Sequence, residues 1–387
     1  MSSIPPTSDA EAARLRNQFI VGAPAEHGDV AKASKSLVAR LRILAKRGWP
    51  LVVASVASCG IGFMVCAWSG SAPDAVSEIQ QPQTERPLYV AAINRRNEPI
   101  SPLVPFKELD PEIVLLGKKL FHEPALSGNG RVACSTCHIV AQGGDDGLKV
   151  SRGVNGSEGK FNAPTVLNAA YNFAQFWDGR ARTLEEQLDG PITSPMEMGS
   201  SWPRIIKYLK NNDAYAAQFE QHMGGSPTED RVREALVTYE RSLITVGDRF
   251  DQWLGGDEAA LNADEFNGYH LFVTMNCIAC HQGPAVGGNM FQKLGRMEAY
   301  FKDQDTASTI DLGRFNTTQD EVDRHVFRVP TLRNIAMTAP FFHDGSVGTL
   351  EEAVAIMIEY QLGKEVHEEE VRRLVAFLRT LTGSIPD

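Results

Sequence analysis

The sequence is short of positive charge. Its 38 Lys and Arg face 48 Asp and Glu, a net charge of −10, which argues against nucleic acid as a partner. It is also short of cysteine. Of six in 387 residues, four fall in two C-x-x-C-H groups, and the other two, Cys59 and Cys66, lie in an apolar run, so no disulfide framework is laid out. Nowhere does it alternate apolar and polar positions for long enough to build a sheet. From Pro102 onward apolar residues recur at helical spacing between Gly- and Pro-rich loops, which predicts an all-α fold.

One stretch lacks charge altogether, the 20 residues from Trp49 to Trp68. As a helix it would be about 30 Å long, the thickness of a bilayer core. Lys32, Lys35, Arg40, Arg42, Lys46 and Arg47 precede it, a flank that stays in the cytoplasm by the positive-inside rule. The first reading is a basic tail over 1–48, a single-span anchor over 49–68, and an exported remainder. A cleaved signal peptide is the second. The third is a lipoprotein acylated at Cys59, suggested by Val56-Ala-Ser-Cys59 but opposed by the apolar residues that follow. Residues 1–31 read as a disordered tail, and 69–101, rich in Pro, Gln, Ser and charge, as a linker.

What the sequence has is Cys134-Ser-Thr-Cys-His138 and Cys277-Ile-Ala-Cys-His281. In C-x-x-C-H two thiols reach the two vinyl groups of one porphyrin and the next residue sets an imidazole beneath the iron; this is the attachment signature of c-type haem. A redox dithiol or half a zinc site would not need the trailing histidine. The expectation is two covalent haems with His138 and His281 as proximal ligands. Such haem is attached outside the cytoplasm, so the motifs point to the periplasm.

The chain also repeats itself. Pro164-Thr-Val-Leu-Asn, Phe176-Trp-Asp-Gly and Thr183-Leu-Glu-Glu186 align on Pro330-Thr-Leu-Arg-Asn, Phe342-His-Asp-Gly and Thr349-Leu-Glu-Glu352 at one offset, 330 − 164 = 166. Two haem domains related by internal duplication are therefore expected, over 102–245 and 246–387. Helices are expected over 111–121, 201–219, 229–250, 264–275 and 368–382. Five residues past the Leu-Glu-Glu of each copy, the second has Met357 and the first Pro191. A thioether can be the sixth ligand of a haem iron, and a proline cannot. Met357 is thus the candidate ligand of haem 2, with Met290, Met297 and Met337 as competitors.

These residues resemble the bacterial di-haem cytochrome c peroxidases. The likeness runs from Pro102 to Ile385 through both motifs, Asn162-Ala-Pro-Thr165, Gln175-Phe-Trp-Asp-Gly-Arg180, Gly190-Pro191 to Glu197-Met-Gly199, Thr338-Ala-Pro-Phe-Phe-His343 and Met357. The resemblance implies that haem 1, on His138, reduces hydrogen peroxide. Haem 2, on His281 and Met357, would take electrons from a small cytochrome c or cupredoxin, and Trp177 would lie between the haems. Gln187 and Glu197 match the family's distal polar pair. Asn162, Thr338 and Pro340 match a calcium site between the haems. His343 matches a histidine near haem 2, read as a contact to a ligand or propionate rather than a ligand itself. A homodimer is also compatible with the resemblance.

One position departs from the pattern. Many members carry a histidine in the loop after the first motif that caps haem 1 in the resting enzyme. Here the loop reads Ser151-Arg-Gly-Val154, and no histidine occurs between His138 and His222. An open haem 1 is expected. The MauG-type enzymes, which oxidise a partner protein through a high-valent state, share that openness but use tyrosine where Met357 stands. A non-catalytic electron carrier would need both haems six-coordinate.

Overall fold

The computed structural model describes residues 96–301 and 308–386. The expected tail, the 49–68 anchor or signal segment, Cys59, and the linker up to residue 95 lie outside the described residues. Among the described residues no helix is long and apolar enough to cross a membrane.

The longer helices are α1 (Pro111–Phe121), α2 (Trp202–Asn211), α3 (Asp213–Met223), α4 (Glu229–Ser242), α5 (Arg249–Leu254), α6 (Ala263–Thr274), α7 (Leu350–Ile356) and α8 (Glu368–Arg379). The chain is helix-rich, with one small exception to the all-α expectation. Strands β1 (Phe291–Lys293) and β2 (Val326–Arg328) pair antiparallel, with Phe291 opposite Arg328.

Two expected helices are broken by side chains that cap. The run 201–219 divides at Asn212, whose side-chain oxygen accepts from the Ala214 and Tyr215 N–H groups and starts α3. The run 229–250 stops at Ser242 and resumes at Arg249, under an Asp248 carboxylate that accepts from Asp251 N–H. Asn and Asp offer the backbone a local partner outside the helix ladder, so each favours a helix start over a helix interior.

Each half is built on one helix crossing, and a glycine sets its closeness. A Cβ on Gly117 of α1 would stand 2.0 Å from the Ala235 carbonyl oxygen of α4. A Cβ on Gly268 of α6 would stand 2.0 Å from the Arg373 carbonyl oxygen of α8. Only a residue without Cβ permits either approach. Buried apolar side chains form two clusters. One holds Leu116, Phe121, Ile205, Phe219 and Leu236; the other holds Phe250, Phe272, Leu374, Phe377 and Leu378. The ends of the described chain cross over: Ile100 belongs to the second cluster, while Ile385 packs on the first.

The repeat is visible in the backbone. Asn168 and Asn334 both stand at φ 60°, and Phe176 and Phe342 both at φ 68°. The single bridge between Gln175 and Ala181 recurs between Phe341 and Val347.

Candidate haem sites

In the first half, Cys134 and Cys137 ride a four-residue helix, Cys134–Cys137, and His138 follows it. His138 Nδ1 is 3.1 Å from the Gly144 carbonyl oxygen. A ring that donates from Nδ1 keeps Nε2 free for a metal. Burial lowers the His138 pKa, which favours the neutral imidazole that a metal requires. Burial also pushes the Cys137 thiol up to about 11, and the charges of Asp146 and Glu197 add to the shift. Glu197 thus lies within electrostatic reach of the first motif.

Glu197 is half-buried on the turn after the short helix Asp189–Thr193. Burial raises its pKa, against a hydrogen bond with Ser194 and the positive charge of Arg180. Gln187 closes the short helix Leu184–Gln187, which Thr183 caps, and is half-buried; Pro191 sits in the next short helix. Val154 is buried, and its N–H donates to the Glu197 carbonyl at 2.7 Å. Gly199 stands at φ 55°, and a Cβ there would meet Val154 Cγ2 at 2.9 Å. The loop after the first motif is therefore laid against the Glu197 turn and presents an apolar side chain there.

In the second half, a cavity of about 240 Å³ collects Cys277, Cys280, His281 and Met357 from separate elements. Burial pulls His281 down to about 4, so its imidazole is neutral. Met357 opens the π-helical turn Met357–Gln361 that continues α7. Such turns recur where a helix must re-aim a functional side chain. Met290, Met297 and Met337 do not line the cavity, and Met297 is exposed. Two thiols, a neutral imidazole and a thioether in one largely apolar cavity are a donor set that fits c-type haem.

Trp177, His343, Asn162, Thr338 and Pro340 line the same cavity. Trp177 Nε1 donates to the Asn162 carbonyl at 2.9 Å, and its ring meets that of His343 edge-on at 6.4 Å. Asn162 N–H donates to the His343 carbonyl at 2.9 Å, and its amide Nδ2 to the Leu148 carbonyl at 2.9 Å. The His343 ring is buried, with Nε2 2.8 Å from Asp311 Oδ1. Sequence reasoning missed Asp311, which stands 32 positions from its partner with no motif around it. It also missed Arg328, which lines the cavity with a buried guanidinium.

The family model for di-haem cytochrome c peroxidase matches residues 111–259. The cytochrome c551 peroxidase of Nitrosomonas europaea is 45% identical over 298 residues, covering 77% of this chain and 88% of that protein. The methylamine utilization protein MauG of Methylorubrum extorquens is 35% identical, over 86% of this chain and 93% of its own length. Among solved structures, a MauG-like protein associated with microbial copper homeostasis superposes with a TM-score of 0.64 at 29% identity, covering 73% of this chain and 93% of that one.

Proposed function

This chain belongs to the di-haem cytochrome c peroxidase family, and from that premise we propose how its residues divide the work. The enzyme reduces peroxide with electrons from a redox partner protein. When bound, the haem on His138 supplies the iron at which peroxide is reduced, and the haem on His281 supplies the iron that takes electrons in. One observation carries the division of labour: Met357 shares a cavity with His281, Cys277 and Cys280, whereas the matching position of the first copy is Pro191.

Reduction of one peroxide to two waters needs two electrons and two protons. We assign to Glu197 the movement of a proton from the inner to the outer peroxide oxygen. Its half-buried carboxyl with a raised pKa, on the turn whose carbonyl takes the Val154 N–H of the loop after the first motif, supports that role. Gln187 donates a hydrogen bond to the bound oxygen and does not titrate. Val154 offers no lone pair, so the loop cannot cap the first iron as the usual histidine does. In this reading the enzyme reacts with peroxide without prior reduction.

Trp177 carries charge between the two sites. Its place on the second cavity, on a loop that follows the first motif, supports this. His343, held by Asp311, positions the indole by ring contact. Asn162, Thr338 and Pro340 hold a calcium ion, a role supported by their place on one cavity and the oxygens they carry. The donor is a small cytochrome c or cupredoxin, and the compartment is the periplasm, with residues 49–68 as tether. Met357 favours this reading over a MauG-type oxidation of a partner protein. Steady oxidation of a ferrocytochrome by peroxide tests it: turnover is expected, and its absence in protein carrying both haems would overturn the assignment.

A further inference from the structure

Arg328 ends β2 and is 3% exposed. Its backbone N–H donates to the Trp177 carbonyl at 2.8 Å and its Nε to the Phe176 carbonyl at 3.2 Å. Among the described residues Nη1 has no hydrogen-bond partner. Burial pushes the guanidinium down to about 10, and no neighbouring charge acts against that shift. A buried cation in this state is costly unless an anion meets it.

Among the described residues no side chain around it supplies that anion. Asp145 lines the same cavity, but burial and the Asp146 charge push it up to about 7, and no cation acts on it. The carboxylate of Asp311 is taken by His343. Asp178, on the loop that Arg328 holds, pairs with Arg180 at 3.0 Å. Across β1, Arg314 rests on the Phe291 ring and pairs with Asp323 at 3.4 Å. Lys293 and His281, also on the cavity, carry no carboxylate. The repeat sharpens the point. The position matching Arg328 in the first copy is Asn162, since 328 − 166 = 162, so the first copy has a neutral amide where the second has a guanidinium.

We propose that Arg328 is the carboxylate anchor of the second cavity, where its free Nη1–H meets a propionate of the haem attached at Cys277 and Cys280. The contact keeps that propionate ionised and ties the haem to the Phe176–Trp177 loop. The inference rests on haem attachment at the second motif and not on peroxidase turnover, so the two can fail separately.

The test uses the full haem-loaded chain as wild type, R328Q and R328K, with haem content counted first. The midpoint potential of the second haem is then followed against pH. In the wild type it is expected to be nearly flat around neutral pH. In R328Q it is expected to fall as pH rises, because a propionate without its cation titrates in that range; R328K keeps the charge and stays flat. A purely structural Arg328 would lower the melting temperature of R328Q and leave the pH profile unchanged, and that result overturns the proposal. If R328Q does not retain its second haem, redox-difference infrared spectra of R328K decide: a shifted propionate carboxylate band supports the contact, and an unshifted band overturns it. Added phosphate or chloride should leave the wild-type potential unchanged. A dependence on either that vanishes in R328Q would give Arg328 to a free anion and overturn the propionate assignment.

Discussion

Asn168 and Asn334 donate their side-chain amides to one and the same oxygen, Thr245 Oγ1, each at 2.8 Å. The two asparagines are equivalent in the repeat, since 334 − 168 = 166, and all three residues are fully or almost fully buried. The hydroxyl oxygen has two lone pairs and uses both. The halves of the duplication are thus tied at a single atom.

Removing that atom should be expensive. Thr245→Val leaves two buried N–H donors without a partner, a loss of roughly 2–6 kcal/mol at about 1–3 kcal/mol per unsatisfied group. Chemical denaturation of the haem-loaded protein measures it. Thr245→Ser, which keeps the hydroxyl, should lie much closer to wild type, and equal losses in both variants would dissociate the effect from these hydrogen bonds.

Glu197→Gln should lower peroxide turnover by about 10²–10⁴-fold while both haems remain attached. The wild-type carboxyl must be ionised to accept the proton. Its raised pKa therefore places the acid limb of the rate profile above the ordinary carboxylate range, with activity lost as pH falls through it. The Gln variant should lack that limb. Retention of the limb in the variant would assign it to another group.

The duplication was legible because it repeats short local patterns, and the backbone follows them down to the left-handed conformations of Asn168, Asn334, Phe176 and Phe342. The haem-attachment signature was legible for the same reason: all of it lies within five consecutive residues. The helix breaks at Asn212 and before Arg249 were missed because the apolar period runs on through them while a capping side chain decides the boundary. Asp311 and Arg328 were invisible because their partners are brought up by the fold. Asp311 meets His343 across 32 positions, and Arg328 meets Phe176 across 152.

Met357→His should change the axial ligands of the second haem. Ultraviolet–visible and low-temperature spectra of the variant should lose the features of a thioether-bound iron, and an unchanged spectrum would remove Met357 from the ligand set.

Glu240 is buried near the first motif, and burial lifts its pKa from the ordinary 4.5 to about 8, with the Glu185 charge adding to the shift. A carboxyl whose folded pKa is raised favours the native state most below its unfolded pKa, and the advantage is lost as pH rises through the folded value. Stability should therefore decline from about pH 4.5 toward about pH 8 with a slope of up to one proton. Glu240→Gln should flatten that decline. Melting temperatures across the range would show it, and parallel curves for the two proteins would contradict it.

The asymmetry between the two iron sites is tested most directly by an electron paramagnetic resonance spectrum of the fully ferric protein. The expected spectrum has one low-spin centre with histidine–methionine ligation and one high-spin centre with an open distal face. Two low-spin, six-coordinate centres would contradict it, and would leave Val154 without the part assigned to it.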